Sequence, residues 1–412
     1  MSERIQTPRG TSDVLGDVAL AREELERTAK GILERAGYSR IETPIFEATE
    51  LFARGVGEST DVVQKEMYTF DDGGGSSITL RPEGTAPVCR AYLEHGMHKL
   101  PQPVKLWYLG AYFRAERPQH GRYRQFWQVG LEAIGSDDPA VDAESILLLA
   151  EILEAIGVQA RLRVSSLGTP GTRADYKSEL QAYLRAHEHE LSGDVRDRID
   201  LNPLRAFDAD HPGTRQVMAG APLLLDRLGA EDREHFEAVK HMLDGAGLAY
   251  EVDPTLVRGL DYYTRTVFEF TSDALGAQSG VGGGGRYDGL IEELGGPPTP
   301  GMGWAAGVER MLLSAPPAPI APPPLDLYVA YAKPDYRAEA FLLAADVRRA
   351  GHAAQLELGG RSLKGQLKQA DRAKARYVAI LGDEGTALKD MESGEQRVVE
   401  RDTVMHHITH GL

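Results

Sequence analysis

The most constraining stretch of this 412-residue chain is LWYLGAYFRAERPQHGRYRQFWQVGLEAIG, residues 106–135. It alternates with a period of two on both sides of a charged loop, so it reads as two paired strands. Trp107, Leu109, Ala111, Phe113 and Ala115 fall on one face of the first strand; Tyr108, Gly110, Tyr112, Arg114 and Glu116 fall on the other. The second strand repeats this, with Trp127, Val129, Leu131 and Ala133 opposite Phe126, Gln128, Gly130 and Glu132. Successive side chains point to opposite sides of a sheet, which gives each strand a core face and a polar face. Gly110 and Gly130 are expected to leave room for something lying flat on the polar face. Arg114, Glu116, Gln128 and Glu132 surround that room, and the loop adds Arg117, Arg122 and Arg124. A cationic rim over carboxylates suits a zwitterion together with a polyphosphate. An ordinary exposed hairpin with a solvated face fits the alternation equally well.

A chain of this length buries a large core and is expected to divide into two or three domains. No apolar run reaches the ~18 residues of a membrane span. The opening MSERIQTPRGTSD lacks the apolar core of a secretory signal. The single cysteine, Cys89, excludes an internal disulfide and a cysteine cluster for zinc. These features predict a cytoplasmic enzyme. The net charge of −16 falls entirely in residues 1–324, because thirteen Lys and Arg balance thirteen Asp and Glu from Leu325 onward. Charge alone argues against a nucleic-acid partner, although an acidic body binds RNA where its contact surface is locally basic.

Along the chain, apolar positions from Val18 to Ala36 predict a helix stopped by Gly37. YSRIETPIFE reads as a strand that Pro44 confines to an edge, and Gly73, Gly74 and Gly75 mark a hairpin tip. SITLRPEGTAPVCRAYLEHG predicts a strand and then a helix capped near Thr85, with Glu83 at the turn. A carboxylate there either meets a ligand ammonium or caps the helix. Residues 170–247 turn to charged helices; His187, His189, His235 and His241 read as solvated helix faces rather than metal ligands. SGVGGGGRYDGLIEELGG is not a Walker loop, and its bare glycine run reads as a flexible loop. Residues 315–324 hold six prolines, a semi-rigid spacer of roughly 30 Å. Beyond it, strand and helix patterns alternate as in a small α/β module. Arg361, Lys364, Lys368 and Arg372 line one helix face there.

The wording of FRAERPQHGRYRQF resembles the second signature motif of the class II aminoacyl-tRNA synthetases, in the form found in histidyl-tRNA synthetases. The segment from Ile41 through FARGVGESTDVVQKEMYTF resembles the first motif, which implies a homodimer, and GMGWAAGVERMLL the third. TLRPEGTA, LVRGLDYYTRTVFEF and GGGRYDGL are similar to segments peculiar to the histidine members. The resemblance implies an α+β catalytic domain on an antiparallel sheet, residues 1–169 and 248–314, with a helical insertion at 170–247. It also implies a proline-rich linker at 315–324 and an α/β anticodon-binding domain at 325–412. The implied activity uses ATP and Mg²⁺ to activate L-histidine and transfers the histidyl group to tRNA(His).

Carried over residue by residue, the resemblance places the catalytic Arg114 and Arg258 on the α-phosphate. Glu116 and Arg122 join them around ATP, with Arg310 stacked on the adenine. Glu83 and Thr85, assisted by Gln128, take the amino group of histidine. Glu132, Tyr262 and Tyr263 form the imidazole pocket, which GGGRYDGL closes over. Arg117, Gln119, Arg361, Lys364 and Lys368 are expected on the tRNA; no protein-held metal site is expected. A histidine-binding regulatory subunit of ATP phosphoribosyltransferase shares this fold, but the presence of Glu83, Arg114, Arg258 and Arg310 and of the C-terminal module argues against it.

Overall fold

The computed structural model describes residues 4–57, 60, 62–317 and 324–410. The chain divides into two compact units, Met1–Ala318 and Pro319–Leu412. Residues 318–323 of the expected proline spacer lie outside the described residues.

The first unit is built on an eight-stranded sheet. Its order is Ser39–Arg40, Val104–Phe113, Gln125–Ile134, Gly301–Gly307, Gly280–Arg286, Thr264–Thr271, Arg161–Ser166 and Glu251–Val252. All neighbours are antiparallel except the two short edge strands. In the expected hairpin, Trp107 pairs with Leu131, Tyr108 with Gly130 and Gly110 with Gln128. Trp107, Leu109, Val129 and Leu131 share a core with the helices Asp17–Arg35 and Pro139–Ala155. The first helix buries Leu25, Ala29, Ile32 and Leu33, the i, i+4, i+7, i+8 stripe of an amphipathic helix. Val18, expected in that stripe, is exposed.

The face expected to be polar is not solvated. Tyr108, Tyr112 and Glu132 are buried there, beneath a second apolar cluster shared with the helix Thr85–Glu94. Gly110 and Gly130 leave no room for a ligand. A Cβ on Gly110 would lie 2.3 Å from the Arg81 guanidinium, and one on Gly130 would lie 2.4 Å from the Tyr108 ring. The protein's own side chains occupy the space those glycines open.

The glycine run is not a flexible loop. Gly280–Arg286 is an internal strand, paired on one side with Gly301–Gly307 and on the other with Thr264–Thr271. It lies in the sheet rather than closing over a pocket. YSRIETPIFE likewise splits: Ser39–Arg40 joins the large sheet, and Phe46–Ala48 joins a three-stranded sheet with Ser77–Leu80 and Tyr68–Asp71. Pro44 lies between the two strands, where its missing N–H interrupts no ladder.

Residues 170–247 are mainly helical and lie within the Met1–Ala318 unit. The last helix, Ala230–Gly245, buries Phe236, Val239 and Leu243 in the same core as Pro139–Ala155. His235 is therefore not on a solvated face: it is buried, with Nε2 2.8 Å from Asp142 Oδ2. Asp142 also meets the fully buried Arg286, Oδ1 to Nε at 2.8 Å.

The second unit carries the strands Leu325–Tyr331, Ala354–Leu356 and Ala375–Gly382 in parallel, extended by the antiparallel Gly385–Asp390 and Gln396–Val399. Its helices Arg337–Arg349 and Leu363–Arg372 alternate with the parallel strands. No helix among the described residues is long and apolar enough to cross a membrane.

Candidate active site

One cleft on the large sheet gathers residues from the second and third motifs and from TLRPEGTA, LVRGLDYYTRTVFEF and the glycine run, and none from the first motif. Gly283, Ala305 and Gly307 form its small-residue floor, while Glu83, Thr85, Arg114, Gln128 and Arg258 stand among its walls. Register explains the grouping. Gly130, Ala305, Gly283 and Glu269 lie in one row across four strands, and Gln128 and Gly307 lie in the adjacent row.

At one end, Glu83 occupies the turn before the helix Thr85–Glu94. Its carboxylate accepts from the backbone N–H groups of Thr85, at 2.7 Å, and Ala86, at 3.0 Å. Glu83 thus caps the helix and still borders the cleft. Burial pushes its carboxyl up, against the lowering effect of those N–H groups and Arg114. Thr85 is not the cap expected of it; Gly84 takes that position. The freed Thr85 hydroxyl donates to Glu132 Oε1 at 2.8 Å.

Glu132 lies behind this wall, outside the cleft lining, and is fully buried. It also accepts from Tyr108 at 3.1 Å and from Tyr287 at 2.6 Å. Burial pushes its carboxyl up to about 8, Glu83 adds to the rise, and the hydroxyls oppose it. Room for this carboxylate comes from Gly303 across the ladder, where a Cβ would lie 1.8 Å from Glu132 Oε2. Tyr262 and Tyr263 border the cleft as a tilted ring pair with centroids 4.7 Å apart.

The other end is cationic. Arg114 Nε donates to Pro82 O at 3.0 Å, and Glu116 lies between Arg114, at 3.8 Å, and Arg122, at 3.0 Å. Arg258 pairs with Glu269 at 2.8 Å. Arg310 donates to Gly121 O at 2.9 Å and also to Gly280 O. Burial, and then the neighbouring Arg122 cation, holds the Arg310 guanidinium below its usual range. Arg258 Nε and Gln128 Oε1 are buried without hydrogen-bond partners. Unpaired buried polar atoms are costly, and a polar ligand in the cleft would satisfy them. The arrangement can therefore hold an ammonium near Glu83 and Thr85 and a polyphosphate near the arginines.

A sequence profile of the histidyl-tRNA synthetase family matches residues 10–311. This chain belongs to that family. It is 49% identical over 402 residues to the histidine–tRNA ligase of Desulforamulus reducens, covering 95% of this chain and 96% of that one. It is 46% identical over 419 residues to the histidine–tRNA ligase of a Geobacillus species, covering 99% of each. The solved apo histidyl-tRNA synthetase of S. aureus aligns with a TM-score of 0.82 at 36% identity, covering 98% of this chain and all of that one. The antiparallel sheet with its flanking helices is thus the class II synthetase fold of histidyl-tRNA synthetases.

Of the residues expected in the synthetase site, all but Glu132 border the cleft; Glu132 reaches it through Thr85. Arg117 and Gln119 lie exposed on the hairpin loop. In the second unit Lys364 and Lys368 are exposed, whereas Arg361 is tied to the buried Glu357 at 3.1 Å. Tyr108, Tyr287 and Glu269 were missed from sequence. A period-two count from Gly283 would have put Tyr287 on the site face, and Glu269 is the one acid in the apolar run TVFEFT.

Proposed function

We propose that this chain is the ligase that charges tRNA(His). In the first step a carboxylate oxygen of L-histidine attacks the α-phosphorus of ATP. The bond to the β-phosphate oxygen breaks and pyrophosphate leaves with the electron pair, giving histidyl-adenylate. In the second step a hydroxyl of the terminal adenosine attacks the carbonyl carbon and AMP departs. The observation that carries this reading is the single cleft with amine-binding oxygens at one end and the guanidinium groups of Arg114, Arg122, Arg258 and Arg310 at the other.

The attacking carboxylate is already ionised near neutral pH, so the first step needs alignment and charge stabilisation rather than a base. Arg114 and Arg258 supply the cations at the α-phosphorus, Arg122 holds the outer phosphates, and Arg310 packs on the adenine. Glu83 and Thr85 hold the ammonium: the Thr85 hydroxyl donates its hydrogen bond to Glu132, which leaves its lone pairs for the substrate. Tyr263 and, through Thr85, Glu132 discriminate the imidazole.

Among the described residues no group of three or more His, Cys, Asp or Glu could hold a metal ion. A Mg²⁺ ion would arrive on the ATP phosphates, with Glu116 and Glu269 as the carboxylates facing it, and would neutralise phosphate charge. Phe46 and Phe70 are exposed on the three-stranded sheet, with Ile45 exposed just before it, which supports a homodimer through this region. Lys364 and Lys368 support anticodon binding by the 319–412 unit. A buried lone thiol, Cys89, fits a cytoplasmic setting.

Exchange of labelled pyrophosphate into ATP, run with each of the twenty amino acids, tests the reading. Exchange with histidine alone is expected; exchange driven by another amino acid, or none, would overturn it.

A further inference from the structure

The loop 257–263 carries Arg258, Tyr262 and Tyr263 to the cleft, and polar side chains of the helical segment hold it from behind. Arg205 Nη2 donates to Gly259 O at 3.1 Å, and Asn202 Nδ2 donates to Asp261 Oδ1 at 2.9 Å. The Arg173 guanidinium donates to the carbonyls of both Asp261 and Tyr263. From the other side the loop is tied by Asp261 N to Val56 O at 3.3 Å.

Between the loop and these helices lies a cavity of about 250 Å³, with Leu167, Lys177, Leu204 and Val257 in its walls and Arg258 at its edge. Directed hydrogen bonds thus span the pocket on this side, beside the apolar packing of Leu260, Tyr262 and Tyr263. Just beyond the loop, Arg265 has φ +42°, a left-handed conformation that costs energy for a residue with a side chain. It is held there by Asp232, with Nε 3.4 Å from Oδ1. Asp232 also accepts from Thr169 N at 2.9 Å and Thr172 Oγ1 at 3.0 Å. Both ends of the helical segment thus converge on the strained residue.

We propose that Arg173, Asn202 and Arg205 are positioning residues for histidine activation, which set the seat of loop 257–263 and with it Arg258 and Tyr263. The inference rests on the reading of those two as contacts to the α-phosphate and the imidazole. The helical segment then acts on the first step without touching either substrate.

The test is pyrophosphate exchange by the full chain carrying Arg205→Ala, Asn202→Ala, Arg205→Lys or, as a control on the site itself, Arg258→Ala. Misplacing a reacting group by ~1 Å can cost ~10²-fold in rate. The two alanine variants are expected to raise KM for histidine and lower kcat by ~10-fold or more, with KM for ATP unchanged. Arg205→Lys keeps a donor for Gly259 and should recover part of the loss. A variant that merely folds less well loses kcat at every substrate concentration and keeps both KM values. An unchanged KM for histidine in both alanine variants would overturn the proposal, whatever happens to kcat. If Arg258→Ala leaves exchange intact, the reading of the site itself fails instead.

Discussion

Thr85 and Glu132 lie 47 residues apart, and the Thr85 hydroxyl donates to Glu132 Oε1 at 2.8 Å. The bond joins a helix that opens at the Glu83 end of the cleft to the strand behind it. Three hydroxyls converge on one buried carboxyl: those of Thr85, Tyr108 and Tyr287. Glu132 is thus a buried hub behind the cleft rather than an exposed wall of it.

Replacing Glu132 with Ala strands those hydroxyls, and each buried unsatisfied group costs about 1–3 kcal/mol. Histidine binding should fall far more than ATP binding, because the phosphate end makes no contact with this network. Calorimetric titration with each ligand separately checks it; equal losses would refute the role given to Glu132.

The same carboxyl predicts a pH effect. Its folded value of about 8 stands above the ordinary 4.5 of a free glutamate, so between those values the folded chain binds the extra proton. The stability it contributes is fully present below the unfolded value and is lost as pH rises through the folded one. Glu132→Gln cannot titrate. Its melting temperature relative to wild type should therefore climb steadily from pH 5 to pH 8 on the scale of that shift. A flat difference across the window would show that Glu132 titrates normally.

In the proposed mechanism Arg114 and Arg258 stabilise charge at one phosphorus. Alanine at either position should lower pyrophosphate exchange by ~10²-fold or more, mainly in kcat. For Arg258 the lysine variant should also fail, since a point charge cannot serve both Glu269 and the ligand. Steady-state kinetics of exchange decides this; wild-type turnover in either alanine variant would remove it from the reacting centre.

Arg286 and Asp142 are a fully buried ion pair, with His235 on the second oxygen of Asp142. Breaking such a pair from one side leaves an uncompensated charge. Arg286→Met should destabilise the Met1–Ala318 unit by about 3–5 kcal/mol. Urea unfolding followed by tryptophan fluorescence reports it, because Trp107, Trp127 and Trp304 all lie in this unit. A midpoint within error of wild type would mean the network carries no net stability.

The motif residues themselves were legible in the sequence, down to the period-two faces of the hairpin and the α/β alternation beyond Leu325. Their surroundings were not. Nothing in LWYLGAYF says that Tyr108 will lie over Gly130, or in TLRPEGTA that Glu83 will both cap the helix and border the cleft. The glycine run read as a loop because a strand without side chains has no alternation to detect. His235 read as exposed because its partner, Asp142, is 93 residues away.

The residue types and their local spacing thus determined which groups this protein possesses and, the glycine run apart, which stretches would be strand or helix. That is because period, capping and turn chemistry act between near neighbours. Only the tertiary structure decided which of those groups face the cleft and which stand behind it. A carboxyl such as Glu132 becomes a buried hub through Gly303, Tyr108 and Tyr287, brought to it by sheet register and packing across long stretches of chain.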